Sequence, residues 1–443
     1  MAIAIGIYLF GTVWVYASYL LGMDVFVVFG LLYAVTFVLV LPKRAISPLA
    51  ILYLYYGVWF VVAPMFAEKY QGDVLNLPEY RLAIAFCYSV FGLGVIAIKA
   101  GERFARRLKL PDVPVDVIRL SRLRRIVLPL YVFCTLMIVM IVLSSGGFAR
   151  WIANPGDAFL NREGSGVFVI LSHFSSLPLA ILSGYWSYRS NSKLPLAAFL
   201  VWVALTSPVH GSKGQIALLV VLSVVPWLRN MRLFSTRSVA LYISLLGIFF
   251  LGIYFRNLTW IDTQSVIPYA LNYFTALENL AISIRDFDPQ FMRTFFLPFV
   301  KFLTPFGLKD PTMYFDMNHM LTDYYYPWAW EIRATEQWPV ETDLYLNFYF
   351  FGGLPLVAAY LFVVGAVFSL AVRRNSVGGW FVATIMTIFM LSHVRGSLLN
   401  HTDFYMYPYL ILAYFGMRRF VIEKEPLSQP ATRAAALPAE VPA

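Results

Sequence analysis

Charge is scarce in this chain. Asp, Glu, Lys and Arg make up 13% of its 443 residues, against roughly 25% in an ordinary soluble domain. Cysteine is nearly absent: Cys87 and Cys134 both lie in apolar runs, so no disulfide framework is implied and the pair reads as small buried hydrophobes. Cys/His zinc spacing, a His-Glu-x-x-His helix and a Gly-x-Ser-x-Gly elbow are all missing. The first apolar run has no basic segment before it and no small-x-small cleavage site after it, so it reads as a retained span. What the chain has in excess is apolar residues, at 60%, with a mean hydropathy of +0.70. A soluble protein of this size could not hide that much apolar surface. A soluble enzyme, a secreted disulfide scaffold and a disordered regulator are excluded. The expected class is an all-α polytopic integral membrane protein.

A span needs about 20 mostly apolar residues. Twelve candidates are read at 3–22, 25–42, 47–66, 81–98, 126–144, 166–188, 195–209, 215–229, 239–256, 343–370, 378–395 and 404–420, the two around residue 210 being short. Basic residues are retained on the cytoplasmic side. With the N-terminus there, the inner segments hold 22 of the 34 basic residues and six of the 24 acids, for a net +16 inside and −6 outside. The overall charge of +10 is therefore a topology signal, and nucleic-acid binding is not needed to explain it. The expected organisation is nine spans in 1–256 with a basic inner loop at 99–125, one large periplasmic loop at 257–342, three spans in 343–420, and a disordered Pro/Ala-rich cytoplasmic tail at 421–443. The inner loop is amphipathic and is expected to lie against anionic headgroups.

Polar chemistry collects on the outer side of this map. All five histidines, His173, His210, His319, His393 and His401, fall in the outer half or outer loops. The turn His210-Gly211-Ser212-Lys213-Gly214 precedes an apolar span, and exposed backbone N–H groups beside a lysine suit phosphate as well as a plain hairpin. The segment 256–343 carries eleven acids and six bases, and its aromatics include Tyr325, Trp328 and Trp330. Aromatic faces beside acidic acceptors suit sugar rings, although an interfacial aromatic belt would also explain the rings alone. Residues 266–285 read as an amphipathic helix that places Glu278 and Arg285 seven apart on one face. Arg256 and Arg395 sit at outer span ends, where arginine can either anchor the membrane edge or grip phosphate oxygens in pairs. Asp286-Phe287-Asp288 is formally a DxD, but Pro289 marks a turn there and no metal is expected.

The Gly211-Ser212-Lys213-Gly214 turn, the large outer loop, the stretch Glu341-Thr342-Asp343-Leu344-Tyr345-Leu346-Asn347-Phe348 and then Phe351-Gly352-Gly353-Leu354-Pro355 together resemble the Wzy-type polymerases of O-antigen and other oligosaccharide repeat units. The resemblance covers most of the chain and is strongest over 204–222 and 341–366. It implies a periplasm-facing glycosyltransferase of the inner membrane, with a metal-independent GT-C-like architecture and no cofactor. The donor would be an undecaprenyl-diphosphate-linked oligosaccharide, and a chain-length regulator protein is an expected partner. Carried onto this chain, the diphosphate contacts are Lys213, Arg256, Arg285 and Arg395, with Arg285 also taken as catalytic and ranked first among the arginines. The candidate bases are Glu278 and His319, and Tyr325, Trp328 and Trp330 would meet the glycan. Two other classes share the observations: an O-antigen ligase or another lipid-linked glycosyltransferase, and a transporter or flippase of lipid-linked glycans, which should instead show polar groups near the bilayer midplane.

Overall fold

The computed structural model describes residues 1–65, 77–109, 116–118, 120–160, 162, 164–210, 213–229, 231–256, 274, 276–303, 314–331, 336–420 and 422–424. The described chain is helical throughout, apart from one short ribbon. In chain order the helices are α1 (Ala2–Leu20), α2 (Val25–Leu39), α3 (Pro48–Gly57), α4 (Pro78–Arg107), α5 (Leu120–Ser144), α6 (Gly147–Ala153), α7 (Pro155–Leu160), α8 (Gly166–Ser190), α9 (Leu194–His210), α10 (Lys213–Leu228) and α11 (Thr236–Arg256). Then follow α12 (Ala276–Asp286), α13 (Leu297–Leu303), α14 (Met317–Tyr325), α15 (Pro327–Glu331), α16 (Val340–Phe348), α17 (Leu354–Arg374), α18 (Val377–Val394) and α19 (Asp403–Phe420). Local signals fix many of the starts. Asp24, Ser47 and Ser376 turn a side-chain oxygen onto the first free N–H groups of α2, α3 and α18, and Pro48, Pro78 and Pro355 open α3, α4 and α17.

The chain is a polytopic membrane protein. Among the described residues, seven helical segments are long and apolar enough to cross a bilayer: Ala2–Leu20, Pro48–Met65, Pro78–Arg107, Leu120–Ser144, Gly166–Ser190, Phe351–Arg374 and Val377–Val394. Leu9, Phe10 and Val13 of α1 and Val132 of α5 are largely exposed, an apolar surface suited to lipid. Twelve spans were expected, and the apolar helices at 25–39, 194–210 and 214–228 are shorter than that expectation needs. Fifteen residues of helix rise only about 22 Å, against roughly 30 Å of hydrocarbon. The span expected at 343–370 also starts later. The polypeptide leaves α16 at Tyr349 and Phe350, both at positive φ (53° and 62°), and a new helix begins at Leu354. The stretch from Glu341 to Phe348 is therefore a separate short helix at the end of the bundle.

Helix α4 is the axis of one half of the bundle, packed on α1, α2, α3 and α17, and α8 organises the other half with α5, α9 and α10. The α4–α17 crossing depends on glycine. A Cβ on Gly101 would lie 2.0 Å from the Phe362 carbonyl oxygen, and one on Gly365 would lie 2.5 Å from that of Ile98. Backbones this close are how helices associate where lipid supplies no hydrophobic drive. Gly101→Val is expected to cost about 1–3 kcal/mol through overpacking. The check is the melting midpoint of detergent-purified protein, and a midpoint unchanged from the parent would contradict this crossing.

Arginines tie down backbone carbonyls at both ends of the bundle. At one end Arg44 Nη1 donates to the Arg229 carbonyl, the Ala45 N–H donates to Met231 O at 3.1 Å, and Arg373 Nη1 donates to the carbonyls of Ala105 and Leu108. The ribbon also joins two inner segments of the sequence reading, β1 (Asp116–Ile118) pairing antiparallel with β2 (Ile422–Lys424). At the other end Arg81 Nη2 donates to the carbonyls of Ser18, Tyr19 and Met23, and α12 and α16 cap α4, with α14 packed on the two of them. One further local feature lies under that cap. After Gly57 helix α3 continues as a π-turn, Val58–Val62, widened by i→i+5 bonding.

Candidate functional site

Glu341 lies in the first turn of α16 and Glu278 in the first turn of α12, and both carboxyls are buried, at 0% and 3% exposure. The Tyr56 hydroxyl, from the end of α3, donates to Glu341 Oε1 at 2.5 Å. Oε2 of Glu341 and Oε2 of Glu278 have no hydrogen-bond partner among the described residues. A buried polar atom left unpaired costs about 1–3 kcal/mol, and each such atom in a native structure calls for an explanation. Burial in a low dielectric pushes the Glu341 carboxyl up to about 8 and the Glu278 carboxyl up to about 7. Both groups therefore exchange protons near neutrality, as a general base does best.

These two acids share surroundings. Cys87 of α4 is within electrostatic reach of both, and Tyr55 is within reach of Glu341 and of Arg395. Arg395 is the residue that ends α18. Two links brace this region from the side: Trp59 Nε1 donates to Gln337 Oε1 at 2.8 Å, and Asn279 Nδ2 donates to Gln337 O at 2.8 Å.

The loop after Arg395 is held in place by α16. The Leu398 N–H donates to Asp343 Oδ2 at 2.9 Å, and Asn347 Nδ2 donates to Asp343 Oδ1 at 2.8 Å. Asn347 Oδ1 accepts from the backbone of Thr294 and Phe295. Its one side chain thus joins α16 to the entry of α13. Next to the loop stands a second polar group. Asp316 caps α14 and accepts from His319, backbone N–H and ring Nδ1 alike, at 3.1 and 2.8 Å. His401 packs on the Phe315 ring at 5.4 Å, and the Lys301 ammonium lies over the same ring, 3.9 Å from its centroid. Burial lowers the proton affinity of His401. Finally, His393 Nε2 and the Asp403 carboxylate are 3.0 Å apart, closing the loop at its base.

The sequence candidates separate clearly. Glu278 and Arg395 are each linked toward Glu341 through one side chain, Cys87 for Glu278 and Tyr55 for Arg395, and His319 stands beside the loop that Arg395 begins. Arg285 goes elsewhere. It is 45% exposed and forms a bidentate pair with its neighbour Asp286, at 2.6 and 2.8 Å. A seven-residue step keeps two side chains near one angle, but it also moves them about 10 Å along the axis. Here that rise carries the helix out of its packed environment between Ser283 and Arg285. Asp286 of the DxD is occupied by Arg285 and by the Tyr325 hydroxyl, which donates at 2.9 Å. Tyr325 stacks on the buried Trp338 ring at 5.2 Å, and Trp328 is exposed on the surface. Lys213 opens α10 and Arg256 closes α11, but their side chains and that of Trp330 lie outside the described residues, as do Gly211 and Ser212. The amphipathic helix expected over 266–285 is seen as α12 from Ala276, while 266–273 lie outside the described residues.

Several groups now in view were not candidates: Glu341, Asp343, Tyr56, Lys301 and His401. The available signal was the Glu341-Thr342-Asp343 step, two acids entering an otherwise apolar stretch. The chain matches no protein-family model, no curated protein and no solved structure.

Proposed function

We propose that this protein is a Wzy-type polymerase: a GT-C-like glycosyltransferase of the inner membrane that joins undecaprenyl-diphosphate-linked oligosaccharide repeat units at the periplasmic face. The observation that carries this reading is a pair of buried carboxyls, Glu341 and Glu278, each with an unpaired oxygen, in the same region as Arg395 at the end of the bundle away from the clustered basic loops. In the proposed reaction an acceptor sugar hydroxyl attacks the anomeric carbon of the lipid-linked chain. The bond from that carbon to the diphosphate oxygen breaks, and the diphosphate leaves with the bonding pair. The hydroxyl proton passes to a carboxylate, for which Glu341 is the first choice because Tyr56 orients it. The Arg395 guanidinium meets charge growing on the leaving group. His319, Lys301 and His401 border the same loop and fit contacts to the glycan or to the second phosphate.

The topology that belongs to this proposal keeps both termini in the cytoplasm and 257–342 outside. Cysteines introduced one at a time at Ser121 and Asp288, both exposed, are expected to react oppositely with an impermeant thiol reagent in intact cells. The native Cys87 and Cys134 are buried and give little background. Equal labelling of the two from outside overturns the map.

The decisive experiment is reconstitution. Purified protein in liposomes, given a synthetic undecaprenyl-diphosphate-linked repeat unit in EDTA, is expected to produce a ladder of glycan lengths on a gel. Transfer of one unit to a different lipid acceptor would make it a ligase, and movement of the lipid across the bilayer without bond formation would make it a flippase.

A further inference from the structure

At the basic end of the bundle the ends of four segments surround a cavity of about 590 Å³. Its cationic lining consists of Lys43, Arg44, Lys99, Arg103, Arg106 and Arg373, and the one acid lining it is Glu102. Internal partners absorb only part of this charge. Arg44 and Arg373 each reach backbone carbonyls, which carry no net charge. Lys99 and Arg106 share Glu102 at 3.5 and 3.8 Å. Six cations around one carboxylate repel one another, an arrangement that costs stability unless an anion enters. The rest of the lining is mainly apolar, with Leu49, Phe368 and Val372 beside the hydroxyls of Ser47 and Ser369. The cavity therefore joins a cationic rim to a greasy floor at the termini of spanning helices.

We propose that this cavity is a binding site for a phosphate-bearing anion, and specifically for the headgroup of an anionic phospholipid. Phosphate oxygens satisfy the rim, where arginine forks can grip them in pairs. The glycerol and first acyl carbons fit the apolar floor. A free phosphate shares the first contact but has nothing to place on the second. General attraction of basic loops to an anionic membrane surface acts along the whole basic end. A shaped cavity acts at one place, and this difference makes the proposal testable without reference to glycan chemistry.

The test uses full-length protein in zwitterionic detergent micelles, with soluble dihexanoyl phosphatidylglycerol and inorganic phosphate as separate probes. Binding is read by native mass spectrometry and by the shift in melting midpoint. The site variant is K43Q/R103Q/R106Q. It spares Arg44 and Arg373, which hold backbone, and its three positions are exposed. The control variant R189Q/K193Q/R237Q removes the same charge from exposed positions of the inner segments outside the cavity lining. The parent and the control are expected to bind the lipid alike, and the site variant about 100-fold more weakly. Equal weakening in both variants reduces the effect to general surface charge and overturns the site. Phosphate binding as tight as lipid binding, lost in the site variant, keeps the anion site but overturns the lipid assignment. No binding of either probe by the parent overturns both. A site variant that elutes as aggregate is replaced by the single change R103Q, for which a tenfold loss against R189Q is the supporting result.

Discussion

Replacing Glu341 by glutamine is expected to slow glycan chain growth by about 10²- to 10⁴-fold, the usual worth of a positioned general base. The amide keeps the volume and can still accept from the Tyr56 hydroxyl, so the site should stay assembled. Tyr56→Phe, which loses only the orienting bond, is expected to give a smaller loss. The pH dependence has a definite sign. The folded carboxyl titrates at about 8 because burial disfavours its charge, against an ordinary 4.5. As a base it must be ionised, so activity should climb as pH rises through 7 to 8. Stability runs the other way. The contribution of the neutral acid is fully present below about 4.5 and is lost as pH rises through 8. Glutamine cannot ionise, so Glu341→Gln should be at least as heat-resistant as the parent at pH 9. Rate measurements on reconstituted protein and melting curves at pH 6 and 9 check both statements. A variant that polymerises at the parent rate removes Glu341 from the chemistry. Loss of activity together with lower stability at pH 9 would mean a structural role only.

The second large effect is expected at Arg395. Arg395→Lys keeps the charge but loses the planar fork. An interaction that strengthens as the diphosphate departs is worth about 2–4 kcal/mol, or roughly 30- to 1000-fold in rate. Arg285→Lys is expected to leave the rate near that of the parent, because that guanidinium is spent on Asp286 at the surface. Chain length in cells complemented with each tagged variant, at matched protein level, gives the comparison. Long chains from Arg395→Lys and none from Arg285→Lys would reverse the assignment and return the diphosphate to α12.

The membrane class was legible from composition because it depends on total apolar surface, which sequence records directly. Span ends were legible where a polar cap marks them, as Asp24, Ser47 and Ser376 do. The short helices were harder. An apolar run of 15 residues has the same composition whether it crosses the bilayer or stops part-way, and only packing decides. The break at Tyr349–Phe350 was hidden for a related reason: neither residue signals positive φ, and the glycines that would do so come two positions later. Glu278 was singled out through helical periodicity within 266–285, and the structure places it buried in α12. Its nearness to Glu341 could not be read that way, since the two lie on separate short helices that come together only by packing on α4. The same periodicity led to Arg285, because an angular pattern does not say where along its axis a helix leaves the core.

The π-turn at Val58–Val62 has a consequence for ancestry. A helix with one extra residue in a turn can gain or lose that residue without disturbing what lies before it. Tyr55 and Tyr56 precede the turn, and Trp59 is inside it. A relative with a one-residue gap between Gly57 and Ala63 would therefore retain the tyrosine that orients Glu341. A gap falling before Trp59 would also rotate the tryptophan away from Gln337, freeing the joint between this helix and the cap. Such a gap would mark descendants that kept the Tyr56–Glu341 bond and changed how the cap is held.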